Sequence, residues 1–133
     1  MGYFANADEV YKYVGGVFRA AAENEQVGPK MAAADVDLQI YYSDPDSTLT
    51  IRMHEPSLKV EDGGDDPGAD IKLYMPADIA DKYWRGEYNL AVGLAKGRVK
   101  VSGPIAKIMR LLPAMRPAFP RYRAFLEARG GLG

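Results

Sequence analysis

The stretch ADIKLYMPADIADKYWRGEYNLAVGLAKGRVKVSG, Ala69 to Gly103, alternates, turns helical, and alternates again. It reads as strand, helix, helix, strand. Ile71, Leu73 and Met75 share one face of the first strand while Asp70, Lys72 and Tyr74 take the other, the pattern of a sheet covered on one side. Val99 and Val101 repeat that alternation. Pro76 and Asp78 open a helical segment that ends near Gly86, and Tyr88 to Ala95 forms a second that ends at Gly97, where left-handed backbone costs a glycine little.

Upstream the same period of two continues. Val36, Leu38, Ile40 and Tyr42 face one way and Asp37, Gln39 and Tyr41 the other; Leu49, Ile51 and Met53 alternate after the Asp44-Pro45-Asp46 turn, and Leu58 and Val60 make a third short strand beyond Pro56. At the N-terminus Asn6 and Glu9 have capping-box spacing, and Val10, Val14, Val17, Phe18 and Ala21 fall on one helical face that ends before Gly28-Pro29. A helical turn is expected from Lys30 to Ala34. Downstream, Ile105, Ile108, Met109 and Leu112 recur at helical spacing within Pro104 to Met115, so they are read as a further apolar cover. Five half-buried strands and these helices predict an α+β fold, residues 1–133 as a single domain with one core.

The formal net charge of −1 conceals a division along the chain. Residues 96 to 133 hold nine basic side chains against Glu127 alone, a sum of +8, which leaves −9 on residues 1 to 95. Such a cationic element either complements an acidic body internally or meets an anionic surface. The lack of cysteine excludes a disulfide framework, thiolate metal sites and a cysteine nucleophile, and suits a reducing cytoplasm. No basic region precedes an apolar run at the start, Asn6 stands where myristoylation needs Ser or Thr, and no 18 apolar residues run together. A soluble, unprocessed, unlipidated protein is expected.

Catalytic motifs fail one by one. His54-Glu55 resembles the start of a zinc-binding HExxH, but Leu58 occupies the second histidine's position. By alternation His54 is an outer-face residue near a strand end. Asp62, Asp65 and Asp66 lack EF-hand spacing and are expected to form a solvated hairpin loop. No serine stands in GxSxG or SxxK, and Gly93 and Gly97 miss the Lys-Ser/Thr of a phosphate loop. Asp78 and Asp81, three apart on a helix, are expected to face its N-terminal dipole. No catalytic residue, metal or cofactor is assigned.

The Ala-Asp that opens a strand, the acidic helix ending at Gly86, the Ala-rich short helix, Gly97, the basic strand and the PIAKIMRLL that follows Gly103 together resemble the sterol carrier protein 2 family of lipid-binding domains. The resemblance covers Asp35 to about Met115. It departs where Arg129 to Gly133 carry no Ser-Lys-Leu peroxisomal ending, and where Pro113, Pro117 and Pro120 interrupt a helix that would otherwise run on. It implies a five-stranded, mostly antiparallel sheet with the first and fourth strands adjacent, helices packed on one face, and an apolar cavity enclosed between sheet and C-terminal segment. That cavity would be lined by Leu38, Ile51, Ile71, Leu73, Met75, Val99, Ile105, Ile108, Met109 and Leu112. Methionine suits such a lining, since a flexible thioether adapts to ligands of varied shape.

The function expected is therefore non-enzymatic binding, and transfer, of a lipid, sterol, fatty acyl chain or other apolar molecule in the cytoplasm. The basic C-terminal quarter, interleaved with Phe119, Phe125 and Leu126, would make transient contact with an anionic membrane, the prolines at 113, 117 and 120 giving the tail a gating role. Nucleic acid is ranked below a membrane, because the acidic body opposes a polyanion. Two rivals stand beside the carrier. One is an enzyme, or the accessory subunit of one, acting on an apolar acyl substrate. The other is an interaction module or homodimer that uses Tyr41 and Tyr74 on the outer sheet face.

Overall fold

In a computed structural model, residues 2–129 are described. The C-terminal glycines and Leu132, part of the ending read for a peroxisomal address, lie outside the described residues. The N-terminal segment comprises α1 (Ala7–Val10), a π-helical stretch (Tyr11–Gly15), α2 (Gly16–Glu23) and, after a turn, α3 (Gly28–Ala32). The Asn6 side chain accepts a hydrogen bond from the Glu9 amide, and Glu9 Oε1 accepts one from the Ala5 amide, so two otherwise free donors are satisfied. Val10, Val14, Val17, Phe18 and Ala21 are all buried.

Strands β1 (Val36–Ser43), β2 (Ser47–Met53), β3 (Lys59–Asp62), β4 (Ile71–Pro76) and β5 (Lys100–Ser102) form one sheet in the order β3-β2-β1-β4-β5. The first and fourth strands are adjacent and parallel, Leu38 opposite Ile71 and Ile40 opposite Leu73; the other three pairs are antiparallel. Between β4 and β5 lie α4 (Ala77–Trp84) and α5 (Leu90–Ala95), the latter capped by the Asn89 side chain on the Val92 amide. Gly103, at a φ of 103°, then turns the chain against β4; a Cβ there would lie 2.2 Å from the Asp70 carbonyl oxygen, so no larger residue fits.

Beyond it run α6 (Ile105–Met115), a 3₁₀ turn (Arg116–Ala118) and α7 (Phe119–Arg129). The three prolines do not break this segment into a loose tail. Pro113 continues α6, removing only the bond to the carbonyl of exposed Met109, Pro117 sits in the 3₁₀ turn, and Pro120 lies in the first turn of α7, where no intrahelical N–H is needed. Tyr122 and Leu126 of α7 are fully buried. The Tyr122 hydroxyl donates to Asp81 Oδ1 at 2.7 Å, and Asp81 Oδ2 pairs with half-buried Arg85 Nε at 3.0 Å just past the end of α4, so buried Asp81 holds α7 in place. Burial first, and then Asp81, push the Tyr122 pKa far above its ordinary value.

The inner sheet face packs on the helices, and the outer face carries a polar loop rather than bare solvent. Residues 62–68, read from sequence as a solvated hairpin loop, fold back across β1 and β2. Gln39 Oε1 accepts from the Thr50 hydroxyl at 2.7 Å and from the Asp66 amide at 3.0 Å, which leaves Gln39 fully buried. Arg52 bridges Asp66 at 2.6 Å, Asp37 at 3.3 Å and Glu61 at 3.3 Å. The aspartates of this loop thus pin a lid of backbone to the sheet, and Asp66 is held below its usual pKa chiefly by Arg52. Helices lie on one face only.

Candidate functional site

Between the inner sheet face and the helices lies an apolar pocket of about 40 Å³. β1 contributes Leu38, Ile40 and Tyr42, β2 Met53, and β4 Leu73 and Met75, because the alternation of each strand turns these positions inward. Phe18, Met31 and the α4 residues Ala80, Tyr83 and Trp84 form its sides, and Ile108, Leu111, Leu112 and Met115 of α6 close it. The aromatic wall is fixed by edge-to-face contacts: Trp84 meets Phe18 at 5.1 Å and Tyr83 meets Phe119 at 5.3 Å between ring centroids. Among the described residues no acid, base or serine stands in the lining.

Of the residues expected to line a cavity, Leu38, Leu73, Met75, Ile108 and Leu112 meet in this pocket. Ile51, Ile71 and Val99 are buried in the surrounding core without lining it. Ile105 and Met109 require correction, for they are 42% and 40% exposed, on the outer side of α6. The stripe 105-108-109-112 and the stripe 108-111-112-115 have identical spacing, so helical periodicity alone does not choose between them. Packing does. Lys107 Nζ donates to the Ala34 carbonyl at 3.0 Å, and buried Met115 and Ala118 tie the other end to the core, so the helix rotates Leu111 and Met115 inward and Ile105 and Met109 out.

Strand alternation put Tyr42 on the inward face without assigning it to the site, and Tyr83 was not assigned, no motif around it giving a signal. They supply the hydroxyl groups of a wall otherwise made of hydrocarbon, thioether and the Trp84 indole. Burial alone pushes the Tyr42 pKa far up, and burial is the main cause of a like rise at Tyr83, partly opposed by the charge of Arg116. Both are neutral donors across the physiological range.

Two outer-face features flank this arrangement. His54 sits between Asp35 and Asp37, its Nδ1 2.7 Å from one carboxylate and its Nε2 2.8 Å from the other, and these hydrogen bonds raise its pKa above the ordinary histidine value. Tyr41 and Tyr74 stack side by side, centroids 4.9 Å apart at an interplanar angle of 9°. The Tyr41 hydroxyl bonds Asp65, which with burial pushes its pKa up to about 12. Of the nine C-terminal cations only Arg129 forms an ion pair among the described residues, with Glu9 at 3.1 Å. Among those residues no cluster of three potential ligands could hold a metal ion, and no helix is long and apolar enough to cross a membrane.

A mixed five-stranded sheet with helices on one face and an apolar pocket beneath it makes this an α+β domain. No family model and no curated protein matches the chain. Among solved structures it is similar to sterol carrier protein domain 2 of Helicoverpa armigera, with a TM-score of 0.68 and 17% identity over 91% of this chain and 96% of that one. Sterol carrier protein 2 from Yarrowia lipolytica, in its apo form, gives 0.61 and 18% identity over 79% of this chain and 88% of that one. The sec-alkylsulfatase Pisa1 from Pseudomonas sp. gives 0.56 and 19% identity over 64% of this chain, which spans 13% of that protein's length. The fold of this protein is that of the sterol carrier protein 2 domains.

Proposed function

We propose that this domain is a non-enzymatic carrier that binds a largely apolar molecule, such as a lipid or fatty acyl chain, between the sheet and α6. The observation that carries the reading is the pocket lining, which offers hydrocarbon, thioether and aromatic surface with two tyrosine hydroxyls and no group that would cleave or transfer a bond. Burying roughly 300 Å² of ligand apolar surface at about 25 cal/mol/Å² is worth on the order of 7 kcal/mol, before ordering costs. Lipid-sized ligands need roughly 300–1,000 Å³. The pocket's 40 Å³ therefore means that α6 moves outward as a ligand enters, the ligand taking over contacts that Ile108, Leu111 and Met115 make in its absence.

That same helix is the place for transient contact with an anionic membrane. Its outward side presents Ile105 and Met109 beside the exposed Arg110, with Arg116 directly after it, apolar groups to enter a headgroup layer and cations to meet its charge. We place the carrier in the cytoplasm, in keeping with a chain that uses no cysteine.

The test is organic extraction of the purified protein followed by mass spectrometry against a denatured, washed control, paired with titration of a fluorescent fatty-chain probe. A retained apolar molecule is expected. Leu73→Glu, on the pocket wall, abolishes probe binding in a variant still folded by circular dichroism, and Lys72→Glu, on the outer face, does not. Equal binding by both variants overturns the reading.

A further inference from the structure

Among the described residues one buried side-chain polar atom has no hydrogen-bond partner, and its residue, Tyr83, lines the pocket. The Tyr83 hydroxyl oxygen is buried and has no hydrogen-bond partner, although its residue is only 7% exposed and its neighbours Trp84 and Phe119 meet it through their rings. A buried hydroxyl left without a partner is destabilising, and such groups are rare enough in native structures to call for an explanation. A second hydroxyl, that of Tyr42, belongs to the same lining and is raised in pKa by burial alone.

We propose that Tyr83 is a specificity-determining residue, donating a hydrogen bond to a neutral acceptor oxygen, a ketone, ester or alcohol, on the ligand that occupies this pocket. The inference rests on the carrier reading and adds to it the polarity of the ligand and where its oxygen sits. The group is an acceptor oxygen because the Tyr83 hydroxyl, neutral when buried, has a proton to donate that no protein group takes up. It must be uncharged, because no cation belongs to the lining, and a carboxylate drawn into that wall would be desolvated with no counter-charge. The cation whose field reaches Tyr83 is Arg116, which is exposed, so a carboxylate has its partner at the surface instead. A pure hydrocarbon would bind but leave the Tyr83 hydroxyl as it is.

The experiment compares the parent with Tyr83→Phe for 2-decanone, decane and decanoate, each measured by displacement of Nile red. Removing the hydroxyl weakens 2-decanone about tenfold, the scale of one buried neutral hydrogen bond, and leaves decane within about twofold. Decanoate changes less than 2-decanone. In the ligand-free protein Tyr83→Phe unfolds at the same temperature as the parent or higher, because the group removed had no partner. Equal responses of 2-decanone and decane, a larger loss for decanoate than for 2-decanone, or marked thermal destabilisation of the ligand-free variant each overturn the assignment. Failure of all three compounds to bind the parent instead refutes the carrier reading on which it rests.

Discussion

If a ligand enters between the sheet and α6, then deleting a pocket-lining side chain and deleting a core side chain of the same kind have different consequences once ligand is added. Ile108 and Ile51 make the comparison, since both are buried isoleucines but only Ile108 lines the pocket. Truncation to alanine removes three carbons, a transfer loss of about 2.4 kcal/mol at about 0.8 kcal/mol per group, and the void left behind brings such changes to about 2–5 kcal/mol. Each variant is thus expected to lose about 3 kcal/mol in urea denaturation, within the roughly 5–15 kcal/mol of a domain this size. Saturating 1-decanol separates them. In Ile108→Ala the vacated volume joins the 40 Å³ pocket, so the ligand fills it and the ligand-induced stabilisation rises by about 1–2 kcal/mol over the parent's. In Ile51→Ala the void is out of reach, and the increment equals the parent's. Identical increments in the two variants, or a smaller increment in Ile108→Ala, would refute a ligand site under α6.

Three further outcomes follow from the flanking geometry. His54 gains its partners Asp35 and Asp37 only in the folded state, so its raised pKa contributes stability that is fully present below about pH 6.5 and is lost as the pH rises through the folded value; the difference in Tm between the parent and His54→Gln should shrink over that rise, and a pH-independent difference would contradict the linkage. Tyr122→Phe removes the hydroxyl bonded to the Asp81 carboxylate and should cost about 1.5–3 kcal/mol in urea denaturation, a loss under about 0.5 kcal/mol showing that the α4–α7 contact does not depend on it. Changing Arg110 and Arg116 together to Glu should weaken co-sedimentation with phosphatidylserine vesicles by at least about thirtyfold at low salt, with no effect on phosphatidylcholine vesicles; binding that ignores lipid charge would refute docking through α6.

The strands and their faces were legible because each alternates over several residues with one side apolar, and β1, β2 and β4 have no second way to hide Leu38, Ile51 and Leu73. The adjacency of β1 and β4 came with the family resemblance, not from the alternation, which is silent on pairing order. Rotation of α6 was not legible, because its two candidate stripes share Ile108 and Leu112 and differ only in neighbours that tertiary packing supplies. Nor was the path of α7: Arg121 and Arg123 lie among Phe119, Tyr122, Phe125 and Leu126, so no single apolar face stands out, and its anchor is a long-range bond to Asp81. Gln39 read as a polar residue on the outer face, where Thr50 of β2 lies beside it. They are buried because a loop some 25 residues on lays its backbone over them, a contact local pattern does not carry.

The central claim, an apolar ligand held between sheet and α6, is tested most directly by methionine-methyl NMR, for which the protein is already built. Met31, Met53, Met75 and Met115 line the pocket, whereas Met109 is exposed on the far side of α6. Titration of the methyl-¹³C-methionine protein with 1-decanol is expected to shift those four resonances together along one saturable curve, with Met109 moving least. Shifts confined to Met109, or no saturable shift among the four, would contradict the account.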